Sequence, residues 1–218
     1  PLIKKYFLKL PKPTLQDSRS DEDRILDALK DEHGCSSSLD FEVAKDLPII
    51  LRESNWAVTT VLWRDKIIAV EPGDTSKRCY GFAVDIGTTK LAGFLVDLNK
   101  GSVINVVARA NSQIPFGEDV MSRIAYAMTG GWNASSELQR AVVSGINEMI
   151  EECCKKAGLK NEEVYELCLA GNTCMQLLFL GLWPRHVAFS PYPPVLRQGV
   201  DTEASKLGLK SHKNANVH

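Results

Sequence analysis

YGFAVDIGTTKLAGFLVD, residues 80–97, contains the turn on which the reading of the fold depends. Runs 80–86 and 90–97 are rich in aliphatic and β-branched side chains and flank Gly87-Thr88-Thr89, the pattern of an antiparallel hairpin. The first run ends with an acidic side chain, Asp85, next to the turn. Gly87 lets the backbone come close to a ligand, and two hydroxyls with successive N–H groups face one space. Such a set suits a phosphate chain with its Mg²⁺: amides and hydroxyls bind oxygens, and the carboxylate of Asp85 orients metal-bound water. Gly and Thr are also ordinary turn residues, so the peptide alone leaves a plain tight hairpin open as well. It is not a P-loop, which needs G-x-x-x-x-G-K-[ST] entering a helix, and no such run occurs in the sequence.

Downstream, 102–109 (SVINVVAR) reads as a third strand, joined by a short turn at 98–101, so 80–109 is a meander. A loop leads to a helix over about 118–128. Ser135 or Ser136 is expected to cap a longer helix, in which Leu138, Val142, Ile146, Met149 and Cys153 recur every three to four residues and which Gly158 ends. A strand at 165–170 runs into Gly171-Asn172-Thr173, and a helix follows to about Leu180. From about residue 197 the polar tail is expected to be irregular.

Upstream, residues 1–17 hold three prolines and no sustained period, and read as an extended linker. Ser20 with Asp23 resembles a capping box ahead of a helix carrying Ile25, Leu26 and Leu29. Asp40 opens a second short helix, Pro48 a further turn, and 56–63 with 66–71 form a hairpin about Arg64-Asp65. Residues 18–78 are therefore expected to be a small α+β module, and 79–218 a separate lobe.

The chain has 218 residues, 44% hydrophobic and 24% charged, with a net charge of −1, the composition of a globular protein with a sizeable core. Residues 1–78 carry 13 basic and 14 acidic side chains and residues 79–218 carry 13 of each, so neither part has the basic excess of a nucleic-acid binder. No apolar run approaches the ~20 residues of a membrane span, and Pro1–Lys5 is not followed by the apolar stretch of a signal peptide. The six cysteines (Cys35, Cys79, Cys153, Cys154, Cys168 and Cys174) form no C-x-x-C pair, and the four histidines show no ligand spacing with them. They read as buried free thiols of a cytoplasmic protein rather than ligands of zinc or an iron–sulfur cluster.

The order βββαβα, with DIGTT in its first hairpin, resembles the RNase H-like phosphate-1 lobe of the acetate and sugar kinase/Hsp70/actin (ASKHA) superfamily. GFAVDIGTTKLAGFLVDLNKG, then ARANSQIPFGEDVMSRIAYA and AGNTCMQLLFLGLWP, narrow the likeness. Together they resemble the ATP-dependent reductive activators of corrinoid proteins, and LKLPKPTLQDSRSDEDRILDAL is similar to the segment after the plant-type [2Fe–2S] domain of that family. The similarity covers about residues 3–195.

The resemblance implies an α/β chain: linker 1–17, α+β middle domain 18–78 and N-terminal ASKHA lobe 79–218. In such activators a ferredoxin-like [2Fe–2S] domain passes one electron to a corrinoid protein, returning Co(II) to Co(I), and the ASKHA domain uses ATP and Mg to make the step feasible. Neither the cluster domain nor a second lobe is expected within these residues, so the chain is expected to be a piece of a longer protein, inactive by itself. Carried over by residue, Asp85 would orient Mg²⁺ through water. Gly87, Thr88 and Thr89 would hold the β- and γ-phosphates, and Lys90 would add charge or face solvent. Gly171, Asn172 and Thr173 would lie at the cleft floor. Asn172 and Thr173 would position the attacking water or γ-phosphate, or else cap a helix. Asp119 is either catalytic or, with Arg123 four residues on, half of a surface ion pair. Trp183 and Tyr192 mark a partner surface or pack a loop. The expected partner is a corrinoid protein, and a second copy of the chain is a further possible one. The alternatives are a small-molecule kinase of the same superfamily, or a non-catalytic docking module.

Overall fold

The structure, a computed structural model, describes residues 2–218. The chain divides between Cys79 and Tyr80 into two compact units.

The first unit contains β1 (Ile3–Lys9), α1 (Asp21–His33), β2 (Ser38–Leu39), α2 (Phe41–Ala44), α3 (Leu47–Glu53), β3 (Ala57–Trp63) and β4 (Lys66–Pro72). The strands lie in the order β1-β3-β4-β2. α1 forms where its local chemistry asks for it: Ser20 Oγ accepts from the Asp23 N–H while the Asp23 carboxylate accepts from the Ser20 N–H, and Gly34 ends the helix at φ 65°. Ile25 and Leu29 pack with Leu8, Leu47, Leu51, Val58, Leu62 and Ile67 in the core.

The expected linker at 1–17 is corrected here. Residues 3–9 are an edge strand, antiparallel to β3 with Ile3 opposite Trp63 and Lys9 opposite Ala57. Ile3, Leu8 and Leu10 are buried, but interleaved lysines and the following prolines hide any period in the sequence. The loop after β1 is fastened by buried Arg24, which donates to the Pro11 carbonyl at 3.2 Å, the Asp17 carbonyl at 2.6 Å and the Asp17 carboxylate at 2.7 Å. Hydrogen bonds from Arg19 and then Arg24 hold the Asp17 carboxyl well below the usual carboxylate range.

The second unit contains β5 (Tyr80–Ile86), β6 (Lys90–Asp97), β7 (Ser102–Ala110), α4 (Val120–Ala157), β8 (Val164–Gly171), α5 (Thr173–Phe179), β9 (Thr202–Glu203) and β10 (Asn216–Val217). The sheet order is β7-β6-β5-β8-β10-β9. β5, β6 and β7 form the antiparallel meander, β8 runs parallel to β5, and β10 parallel to β8. This is the expected RNase H-like mixed α/β arrangement. Phe82, Val84, Ile86, Leu91 and Leu95 of the sheet bury against Leu138, Val142, Ile146, Met149 and Cys153 of α4, the predicted apolar stripe.

Two expectations for this unit are corrected. α4 is two helical stretches joined at Gly131 (φ 66°, ψ −149°), so Ser135 and Ser136 lie inside the second stretch and Ser135 is buried instead of capping. The glycine pair 130–131, free to take a non-helical backbone, makes the break. The tail is also ordered. Residues 202–203 and 216–217 complete the sheet, Val217 lies opposite Leu167, and Ala204, Leu209, Ala215 and Val217 enter the core. Two-residue strands inside polar sequence give no periodic signal; the open edge of β8 supplies their partner.

None of the six cysteines is in a disulfide, and they are not all buried. Side chains alternate along β8, so Cys168 projects from the face opposite Leu167 and is exposed. Burial pushes the Cys154 thiol up to about 12 and the Cys174 thiol up to about 11. Iodoacetamide at neutral pH is therefore expected to label Cys168 in the native protein and to reach Cys153, Cys154 and Cys174 only after unfolding. Peptide mass spectrometry checks this, and native labelling of Cys154 ahead of Cys168 would contradict it. No helix among the described residues is long and apolar enough to cross a membrane.

Candidate functional site

The site is assembled by the parallel pairing of β5 with β8. Asp85 lies opposite Ala170 and Ile86 opposite Gly171, so the turns 87–89 and 171–173 leave the sheet side by side at the carboxyl ends of both strands. Ligands of α/β sheets bind at such strand ends. Asn172 ties the two turns together, since its Nδ2 donates to Thr88 Oγ1 at 3.4 Å. Its Oδ1 accepts from the Met175 N–H at 3.0 Å, so Asn172 is also the N-cap of α5. Gly171 allows the close approach, because a Cβ there would lie 3.0 Å from the Ile86 carbonyl oxygen. Thr173, the first residue of α5, is exposed.

The shape of the 87–89 turn is set from behind. The Gly87 carbonyl accepts from Asn111 Nδ2 at 2.7 Å, the Thr88 carbonyl from Arg123 Nη2 at 2.6 Å, and the Thr89 carbonyl from the Asn111 N–H at 2.9 Å. In a trans peptide the N–H points opposite to the C=O. Drawing in the carbonyls of Gly87 and Thr88 therefore turns out the N–H groups of Thr88 and Thr89, which find no acceptor among the described residues. Gly87 itself is required by space: a Cβ would stand 2.6 Å from the Lys90 carbonyl oxygen.

Asp85 is exposed and its carboxylate makes no hydrogen bond or ion pair among the described residues. Lys90 is exposed and lies on the same face of the hairpin, by the alternation that sets Asp85 opposite Ala92. An unpaired carboxylate at the end of β5, followed within four residues by two threonine hydroxyls and two outward amides, has the donor set for a hydrated Mg²⁺ with a phosphate chain. Among the described residues no group of three or more His, Cys, Asp or Glu could hold a metal ion.

The structure does not bring Asp119 into this group. Its carboxylate accepts from the Ser122 N–H at 2.7 Å and caps α4, and these bonds to Ser122 lower its pKa. The expected surface ion pair with Arg123 is likewise corrected: Arg123 points inward, is 0% exposed, and serves the back of the turn. Trp183 packs against Trp132 with ring centroids 5.1 Å apart and planes tilted by 40°, and Tyr192 is exposed.

Sequence reasoning missed Asn111, Gln113, Met175 and the role of Arg123. Asn111 and Gln113 are buried, and Gln113 Nε2 donates to the Leu138 carbonyl at 2.9 Å. The available signal was a run of polar residues, Asn111-Ser112-Gln113, between a strand and a helix, which reads as solvated loop until the fold closes over it.

Two family models match, one described as the RACo linker region over residues 1–77 and one as the RACo middle region over residues 80–218. The first takes in the stretch 1–17 and all but the last residue of the module 18–78. The corrinoid activation enzyme RamQ of Eubacterium limosum is 37% identical over 123 residues, which are 56% of this chain and 21% of RamQ. A solved structure titled reductive activator for corrinoid, iron-sulfur protein superposes with a TM-score of 0.87 at 36% identity, covering 100% of this chain and 35% of that one. The chain thus spans about a third of the solved relative and about a fifth of RamQ. Matched almost end to end by both regional models, it belongs to the RACo family and carries that family's linker and middle regions.

Proposed function

We propose that this chain supplies the linker module and the ATP-phosphate-binding lobe, of ASKHA type, of a cytoplasmic reductive activator whose partner is a corrinoid protein. The pairing of β5 with β8 carries the reading, because it places the DIGTT turn and Asn172 side by side with outward amides and a free carboxylate. The names of its relatives, an activator for corrinoid, iron-sulfur protein and a corrinoid activation enzyme, supply the context.

In this reading Thr88 and Thr89 hold phosphate oxygens through hydroxyl and N–H groups. Asp85 receives water bound to Mg²⁺, which would offset the charge of the phosphate chain. Lys90 adds positive charge on the Asp85 side of the hairpin. Gly171 keeps the second turn close, and Asn172 and Thr173 border the γ-phosphate end. The six cysteines do not fit a [2Fe–2S] cluster, with no ligand group among the described residues, so no electron-transfer step is assigned to these side chains.

The test is titration of Mg·ATP into the ¹⁵N-labelled chain, to millimolar concentration. Amide shifts are expected at Gly87, Thr88, Thr89 and Asn172, and Asp85→Ala is expected to weaken binding by about tenfold or more. Absence of shifts at these amides, or binding unchanged in Asp85→Ala, would overturn the reading.

A further inference from the structure

Arg123 is fully buried, yet every partner it touches is neutral. Its Nε donates to the Gly117 carbonyl at 2.8 Å, Nη1 to Gln113 Oε1 at 3.2 Å, and Nη2 to the Thr88 carbonyl at 2.6 Å; Met175 Sδ lies 3.2 Å from Nη1. No carboxylate forms an ion pair with it among the described residues; Asp119, four residues before it, caps α4 and attracts Arg123 only through space, too weakly to offset its burial. Buried cations ordinarily have a carboxylate partner, since an uncompensated charge in a low-dielectric interior is costly. Burial accordingly pushes the guanidinium below its ordinary pKa, though it stays charged at any ordinary pH. The one functional element it holds is the turn whose amides face outward.

We propose that Arg123 is the positioning residue of the 87–89 turn and the fixed positive charge behind it, with the bound phosphate chain as its counter-ion. The inference rests on the phosphate-binding reading and adds the group that sets both the shape and the charge of that site. The side chain touches the turn only through the Thr88 carbonyl. It holds the Thr89 amide outward and adds a charge that water cannot screen.

Two variants of the chain separate charge from shape. Arg123→Gln keeps hydrogen-bond donors and loses the charge; Arg123→Lys keeps the charge and loses the planar fork. With Mg·ATP and Mg·ADP as probes followed by amide shifts, Arg123→Gln is expected to weaken Mg·ATP about tenfold and Mg·ADP about threefold, because the attraction scales with ligand charge. Arg123→Lys is expected to stay within about threefold of the parent for both. Equal loss for the two nucleotides, or a Gln variant that binds Mg·ATP as the parent does, would overturn the inference and leave the phosphate site standing. A parent chain that binds no Mg·ATP would overturn the site, and this inference with it. Amide exchange without ligand adds a separate reading: the Asn111 N–H, bonded to the Thr89 carbonyl, should exchange faster in Arg123→Gln, and unchanged protection would count against the positioning role.

Discussion

A chain ended after Val200 is expected to lose the cooperative unfolding transition of its second unit. The eighteen residues removed include β9 and β10, which close the sheet beyond β8. They supply backbone partners for that strand from Val164 to Leu169: the Val164 carbonyl accepts from the His212 N–H, the Leu167 carbonyl from the His218 N–H, and the Leu169 N–H donates to the His218 carbonyl. They also bury Leu209 and Val217 with Ala204 and Ala215. Burial of the two large side chains is worth roughly 3–6 kcal/mol, against a net stability of about 5–15 kcal/mol for a typical domain. The bared edge of β8 would in addition be open to pairing between copies. Thermal unfolding followed by circular dichroism, with light scattering for association, checks the expectation. Val217→Asp in the 218-residue chain should move in the same direction by a smaller amount. A shortened chain that melts within a degree or two of the parent would show that β10 decorates the sheet without supporting it.

Gly93→Val is the point substitution expected to destabilise the second unit most. Gly93 sits in the middle of β6, opposite Val84 on one side and Val107 on the other. A Cβ there would stand 2.6 Å from Met149 Cε and 2.7 Å from Phe82 Cζ, and both side chains are buried. The valine branches add two more carbons to a space already filled, so a loss of about 3 kcal/mol is expected, the upper end of ordinary overpacking. Gly93→Ala should lose less, because the end of Met149 is flexible and can swing aside. Combining Gly93→Val with Met149→Leu should recover part of the loss and no more, since the Phe82 ring still stands in the way. Urea unfolding midpoints of the three variants measure this coupling. Equal stability of Gly93→Val and the parent would mean that the sheet and α4 are not packed as described.

Much of this molecule is written in short-range sequence. The hairpin around DIGTT follows from alternating side chains on either side of a turn, and α1 from Ser20, Asp23 and Gly34. The stripe of Leu138, Val142, Ile146, Met149 and Cys153 gives the buried face of α4. Each depends on residues within a few positions of one another, whose preferences act before any tertiary contact forms. The turn itself could be proposed as a phosphate site for the same reason, because its carboxylate, glycine and hydroxyls are neighbours in the chain.

The tertiary structure alone decided the rest. Residues 3–9 become a strand because β3 offers an edge roughly fifty to sixty positions away, and 216–217 because β8 offers another. Asp119 and Arg123, four residues apart on a helix, look like an ion pair in sequence; Asp119 turns to the cap and Arg123 to the Thr88 carbonyl thirty-five residues before it. Local periodicity tells which side of an element is apolar. Which distant backbone edge pairs with it, and whether a polar side chain ends in water or behind a turn, is fixed only when the sheet closes and excludes solvent.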